Sequence, residues 1–178
     1  MIRIVSRDST LPVSVERARA FLRLETDIED GLLKNLIEAA MQEIELYTGV
    51  LLSKCVYEWN CEWTQHLSKG LVSQPQKEVS LTIPHAPFVR MISIQIGEQQ
   101  ITKYRVKLLP QGVAVCDIVL PEKKIITLTY EAGFKEAPEA LKLAILECVA
   151  FRYQNRGEGA LKVPGLQAFL NPYRLIHL

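Results

Sequence analysis

At 178 residues the chain is long enough for one globular domain, and 48% of its residues are hydrophobic, so folding requires neither disulfides nor a metal. Lysine and arginine number 21 against 20 aspartates and glutamates, a net charge of +1, which disfavours a dedicated duplex-binding protein because the large positive field that such binding needs is missing. No apolar run approaches the roughly 20 residues of a membrane span, and no signal-peptide pattern is found. We therefore expect a protein made in the cytoplasm, with no membrane partner.

The residue types that carry catalysis or bind metals are scattered. No cysteine pair has the spacing of a zinc ribbon or a redox motif, and no helix carries two histidines four residues apart. The sequence holds no phosphate-binding loop and no nucleophile elbow. We expect no catalytic residue, no cofactor and no metal site. The four cysteines are predicted to be reduced and to pack as small apolar side chains: Cys55, Cys61, Cys116 and Cys148.

Two helices are predicted near the amino terminus. A short one follows Ser14, a residue type that caps helices. A longer one, of about 20 residues, begins at Thr26 or Asp27, because Thr26 and Glu29 form a capping-box pattern, and it ends at Gly49. Its predicted buried stripe consists of Ile28, Leu32, Leu33, Leu36, Ile37, Ala40, Ile44 and Tyr47.

The middle of the chain is predicted to form a small antiparallel sheet. From Val56 the hydrophobic period becomes two, with Tyr57, Trp59, Cys61 and Trp63 on one face, which we interpret as the inner side of a sheet rather than a base-stacking platform. A polar loop is predicted over residues 65–78. The spacings leave no room for crossover helices. Further strands are predicted over residues 79–83, 91–96, 104–108, 112–119 and 125–130.

A third helix is predicted from Pro138 to about Gly157, and a last helical segment around Leu166 and Leu170 is ended by Pro172. We predict an α+β fold with a mainly helical core, made of two long helices plus short terminal helices, into which a small antiparallel β-sheet is inserted. Residues 1–178 form a single domain in this interpretation. Its helical parts are residues 12–52 and 137–178, and the β-rich insertion is residues 55–131.

An ordered set of residues over about 150 positions resembles one family, the small head-to-tail connector proteins of tailed phages and gene transfer agents. The resemblance has three parts. The first is the first long helix and its ending, and the second is a pattern of two strands separated by prolines. The third is the carboxy-terminal third of the chain. The chain departs from the family between residues 65 and 78 and between 97 and 122. The matching residues include Leu33, Ile37, Ala39, Ala40, Tyr47, Thr48, Gly49, Ile83, Pro84, Pro87, Tyr130, Gly133, Pro138, Leu141, Tyr153, Asn155, Arg156, Pro172, Tyr173 and Arg174.

The resemblance implies a structural adaptor that assembles as a homo-oligomeric ring on the portal protein and receives a neck or tail-completion protein. It implies a place in the neck of a virion or phage-like particle assembled in the bacterial cytoplasm, with DNA only in transit through a channel. Two alternatives stay open: a DNA-contacting packaging accessory, and a related neck or tail-completion protein.

Residues 25–45 contain seven acidic residues against one lysine, Lys34. This acidic face is either a solvated surface or a surface that lines the channel or meets a basic neighbour. The residues predicted for the second role are Glu38, Glu43 and Glu45.

The carboxy-terminal third holds the candidate subunit or portal interface. Arg152 and Arg156 follow the dipole preference of a helix end, but arginine and tyrosine also anchor interfaces. The apolar segment 165–178 either packs on the core or forms a docking arm, and we favour the arm because this end of the family faces the portal. The predicted interface residues are Arg152, Tyr153, Arg156, Phe169, Tyr173, Arg174, Leu175 and Ile176.

Overall fold

The computed structural model describes residues 1–64, 79–81, 83, 85–109, 112–116, 123–156 and 163–174. The chain divides into two compact units. A helical unit is formed by Asp8–Ser53 with Phe134–Ile176, and a β unit is formed chiefly by Met1–Arg7 with Lys54–Gly133. Each unit therefore joins two separated parts of the sequence.

Four α-helices of the described residues belong to the helical unit. They are α1 (Val15–Leu22), α2 (Asp30–Thr48), α3 (Glu139–Gln154) and α4 (Leu166–Leu170), and α4 continues into a short 3-10 turn over Asn171–Tyr173. The predicted cap of α1 is confirmed, because the Ser14 hydroxyl accepts a hydrogen bond from the Arg17 amide at 3.2 Å. α2 ends at Gly49, as predicted, where a φ of 74° suits a residue without a side chain.

The core of the helical unit lies between α2 and α3, with α1 and α4 packed against it. Its members are apolar and almost fully buried, and α2 and α3 contribute them at the spacings of a helix face. The largest fully buried ones are Val13, Leu33, Ile37, Ile44, Leu141, Ile145 and Leu170.

The predicted start of α2 is wrong. The helix begins at Asp30 after Glu29, whose carbonyl accepts the Leu33 amide at 2.9 Å, and no side chain caps it. Ile28 and Leu32, which were placed on the buried stripe, are 85% and 37% exposed. Leu32 and Leu33 are adjacent apolar residues, and the hydrophobic period fits a buried stripe that includes either one. The sequence pattern therefore does not show that Leu33 alone faces the core.

The β unit contains two antiparallel sheets. The larger has the strand order β1-β2-β8-β4-β5, and the smaller has the order β3-β7-β6. The strands are β1 (Ile2–Arg7), β2 (Cys55–Thr64), β3 (Val79–Leu81), β4 (Phe88–Ile96), β5 (Gln99–Ile101), β6 (Arg105–Leu109), β7 (Gly112–Cys116) and β8 (Lys123–Ala132).

One face of the larger sheet is buried. Tyr57 on β2 lies opposite Tyr130 on β8, and Leu128 on β8 lies opposite Ile94 on β4. These four side chains are buried on one face of the sheet. The Tyr57 ring also stacks on His85 with a centroid distance of 4.0 Å. Tyr57 is thus on the inner side of the sheet, as predicted, and Trp59 beside it is half-buried.

The predicted fold class, a mainly helical core with a small inserted sheet, is wrong. The described strands together hold slightly more residues than the α-helices, and they form a five-stranded and a three-stranded sheet rather than one small insertion. The amino terminus is also a strand, because Ile2 and Ile4 pair along the edge of β2 opposite Trp59 and Tyr57. This pairing joins residues more than 50 positions apart, which a local sequence pattern does not contain. The predicted loop 65–78 lies outside the described residues.

A buried carboxylate links three parts of the β unit. Glu131 on β8 is 8% exposed, and its oxygens accept from the Arg90 Nε at 2.7 Å and contact the Lys54 Nζ at 3.2 Å. The hydrogen bonds from Arg90, and then from Lys54, lower the pKa of Glu131. The carboxylate is therefore held in its charged form by two cations.

We predict that Glu131→Gln lowers the free energy of unfolding by about 1–3 kcal/mol, because two cations lose their charged partner. The matched control is Glu58→Gln, which breaks a surface ion pair with Arg3 and should cost less than about 1 kcal/mol. Denaturant titration measures both values. Equal losses in the two variants would contradict the role given to Glu131.

Candidate assembly site

The two predicted surfaces, the acidic residues of α2 and the basic end of α3, meet within the helical unit. Arg152 on α3 forms an ion pair with Glu43 on α2. Tyr153 donates a hydrogen bond to Glu29, and Arg156 binds the same carboxylate. We call these five residues the helix clamp: Glu29, Glu43, Arg152, Tyr153 and Arg156.

The end of the clamp at Glu29 has more contacts than the end at Glu43. Arg156 makes a two-pronged contact, with its Nη1 2.8 Å from Glu29 Oε1 and its Nη2 3.1 Å from Oε2. Its guanidinium also lies over the Tyr153 ring, 3.9 Å from the centroid, a geometry that favours cation–π attraction. The hydrogen bonds from Arg156 and Tyr153 lower the pKa of Glu29, and the bond to Glu29 raises the pKa of Arg156 and of Tyr153.

The three acidic residues predicted for a channel or a partner have different surroundings. Glu43 binds Arg152, and the Oε1 of Glu45 accepts the Leu52 amide at 2.9 Å, which holds the turn after α2. Glu38 is half-exposed and makes no hydrogen bond or ion pair to any residue that the structure describes. Of the three, Glu38 therefore presents its charge to the surroundings most directly.

The described part of the tail, residues 163–174, packs on the helical core. Leu166 and Leu170 on α4 are buried, the Tyr47 hydroxyl donates to Asn171 Oδ1 at 2.6 Å, and the Arg174 guanidinium lies 5.4 Å from the centre of the Tyr47 ring. The favoured interpretation, a docking arm over 165–178, is therefore wrong for residues 165–174. Phe169 remains 43% exposed on this segment, and half-buried Tyr173 packs against the core cluster. Leu175 and Ile176 lie outside the described residues.

Histidine, cysteine and carboxylate side chains are the groups that hold metal ions, and thiolates are the reactive form of cysteine. Among the described residues no group of three or more histidine, cysteine, aspartate or glutamate side chains is arranged to hold a metal ion. Burial raises the pKa of the Cys148 thiol to about 12, so it is protonated at neutral pH. In the part of the chain that the structure covers, no helix is both long and apolar enough to span a membrane.

The sequence contained both halves of the clamp but not their pairing. The acidic excess of α2 and the cations at the end of α3 are visible locally, yet Glu29 and Arg156 are 127 positions apart. The only available signal was complementarity of charge between two helices predicted to pack together. The interface hypothesis for Arg152, Tyr153 and Arg156 must now account for the contacts that they make inside the chain.

Comparisons with known proteins identify a family by sequence and a similar fold by structure. The family model described as head completion protein matches residues 13–160. A chain from the neck of an empty GTA particle, computed with C6 symmetry, has a TM-score of 0.73 at 18% identity, covering 100% of this chain and 97% of that chain. Chains from the native gene transfer agent (GTA) virion and from the native GTA neck computed with C12 symmetry have TM-scores of 0.70 and 0.65, each at 20% identity and the same coverage. No curated protein sequence matches.

We predict that Glu29→Gln lowers the melting temperature by roughly 2–4 °C at pH 7, because Arg156 and Tyr153 lose a charged acceptor. The folded pKa of Glu29 is depressed, so its contribution is present above the unfolded value of about 4.3 and is lost as pH falls through the folded value. The difference between wild type and variant should therefore shrink below about pH 4. Thermal denaturation between pH 7 and pH 2 measures it. Glu25→Gln is the control, since Glu25 is exposed and has no ion pair among the described residues, and a difference independent of pH would contradict the clamp.

Proposed function

Because the chain belongs to the head completion protein family, whose model matches residues 13–160, we propose that it assembles as a ring on the portal of a phage-like particle. The family resemblance found in the sequence is confirmed, and with it the structural role in joining head and tail. The observation that carries the finer proposal is the fold, which matches neck chains of gene transfer agent particles over the full length of this chain. Those necks were computed with C6 and C12 symmetry, which supports a cyclic assembly.

The proposed partners are the portal protein, a neck or tail-completion protein and further copies of this chain. DNA is a partner only in transit, since a net charge of +1 supplies little of the phosphate attraction that lasting duplex binding needs. We propose that the protein catalyses no reaction and acts in the particle neck. Its function is then to present surfaces in a fixed geometry.

The helix clamp supports this proposal by holding those surfaces rigid. One ion pair joins α2 to α3, and a second joins the residue before α2 to Arg156 after α3, so both helices present their outer sides in one arrangement. We propose that Arg152, Tyr153 and Arg156 act in assembly mainly by positioning, and that Phe169, Tyr173, Arg174, Leu175 and Ile176 contribute contacts to a subunit or the portal. Glu38 is the acidic residue best placed to face the channel or a basic neighbour.

The first test is to mix the purified protein with its portal and to image the product. We expect closed rings seated on the portal, and we expect sedimentation of the protein to be unchanged by duplex DNA at about 0.15 M salt. Failure to form any ring with the portal would contradict the adaptor role. Salt-sensitive DNA binding without rings would instead support a DNA-contacting packaging accessory.

Two truncations test the tail. Removing residues 175–178 should leave a folded protein that joins portal particles less well, because Leu175 and Ile176 are proposed contacts. Removing residues 164–178 should also destabilise the fold, since buried Leu166 and Leu170 each contribute about 1.5–3 kcal/mol. Thermal denaturation and co-sedimentation with portal particles measure the two effects. Normal co-sedimentation of the shorter truncation would exclude Leu175 and Ile176 from the interface.

A further inference from the structure

Helix α2 carries a stripe on its exposed side in which apolar and amide side chains alternate. Its members recur at alternating spacings of three and four residues, and all are exposed: Leu32, Asn35, Ala39, Gln42 and Leu46. Leu46 is 86% exposed, although an apolar side chain gains from leaving water. Alternating three and four spacing is the pattern by which one helix packs against another. We call this set the α2 outer stripe.

The same helical unit has an open groove along the outer side of α3. Two adjoining cavities, of about 330 and 490 Å³, share Glu147, Val163 and Pro164 in their linings. Leu143 and Glu147 belong to the floor, Phe21 and Arg23 at the end of α1 line one side, and Phe169 of α4 lines the other. We call this the α3 groove. It is bounded by helices on both sides, a shape that receives an amphipathic helix.

The stripe and the groove face different directions. Arg152 reaches Glu43 and so marks the side of α3 that faces α2. Leu143 precedes Arg152 by nine residues, which is about two and a half helical turns, so it lies on the opposite side of α3. The α2 outer stripe in turn lies opposite the buried residues of its own helix. One copy can therefore use both surfaces at once, with two different neighbours.

Length and charge of the two surfaces are complementary. From Leu32 to Leu46 the stripe is about 21 Å long, and the α3 floor from Leu143 to Gln154 is about 16 Å long. Lys34 and Glu38 flank the stripe four residues apart, whereas the groove contains Glu147 and Arg23. Each surface thus offers one cation and one anion, and none of the four has an ion pair with a residue that the structure describes. The charges allow two opposite-charge pairs, because Arg23 and Glu147 line the same cavity.

We propose that the α2 outer stripe of one copy seats in the α3 groove of the next copy, forming the repeated head-to-tail contact of the ring. A heterologous contact of this kind closes into a ring when the rotation between copies fits a whole number of subunits. Lys34 then pairs with Glu147, and Glu38 pairs with Arg23 of the neighbour. The inference rests on the proposed function and names the surfaces that perform it.

A charge exchange tests the contact in the assembly that the wild type forms, alone or on its portal. Lys34→Glu and Glu147→Lys each place like charges opposite one another and should raise the protein concentration needed for assembly on the order of tenfold. The double variant restores opposite charges at every contact and should assemble as the wild type does. Analytical ultracentrifugation measures the assembly, and circular dichroism checks that each variant is folded. A double variant as defective as the single variants would overturn the pairing.

A mixing experiment tests the direction of the contact. Leu46→Glu blocks the stripe but leaves the groove, and Phe169→Glu blocks the groove but leaves the stripe. Each variant alone should remain monomeric, and an equal mixture should stop at a dimer. Val89→Glu is the control, because Val89 on β4 is as exposed as Phe169 and lies in neither surface.

The outcomes separate the inference from the proposed function. If the wild type forms no ring even with its portal, the proposed function fails. If the wild type forms rings and both blocked variants do so equally well, the inference fails and the function stands. If the blocked variants form rings but do not bind the portal, the stripe and the groove belong to the portal contact, and the inference is overturned.

Discussion

The packing of α2 on α3 is the constraint from which the other surfaces of the helical unit follow. Leu33, Ile37 and Ile44 on α2 join Leu141 and Ile145 on α3 in one buried cluster, and each such side chain contributes about 1.5–3 kcal/mol by leaving water. Because side chains on a helix repeat every 3.6 residues, burying one face determines which residues remain outside. The outward positions of α2 and the outer side of α3 are consequences of this single contact.

The helix clamp fixes the relative position of α2 and α3, which apolar packing alone does not fix. Ridges of apolar side chains tolerate small shifts along the helices, but an arginine that binds both oxygens of one carboxylate fixes distance and angle together. Arg156, just after α3, does so with Glu29, and Arg152 on α3 adds a single-pronged ion pair with Glu43. For a protein whose function is to hold partners in register, we regard this fixed geometry as more valuable than the modest free energy of exposed ion pairs.

Local patterns in the sequence predicted most helices but not their relations. Gly49 as the end of α2 and Ser14 as the cap of α1 follow from chemistry within a few residues. The strand at Ile2–Arg7 and the pairing of Glu29 with Arg156 depend on partners far along the chain, so no local period could reveal them. The balance of helix and sheet was misjudged for the same reason. Six of the eight described strands were predicted from local patterns, but how they pair into a five-stranded and a three-stranded sheet depends on partners outside each pattern.

The error over Leu32 has a physical cause that bears on function. When a helix has apolar residues on two sides, its sequence shows one broad hydrophobic pattern. That pattern does not show whether one neighbouring element covers all of these residues or two elements cover different sides. Within the folded chain, Leu33 faces the core while Leu32 and Leu46 stay outside. A helix that buries one side in its own fold and keeps Leu32, Ala39 and Leu46 exposed on the other side gains free energy when those side chains are covered. Such a helix is suited to the proposed ring, in which the next copy completes the packing.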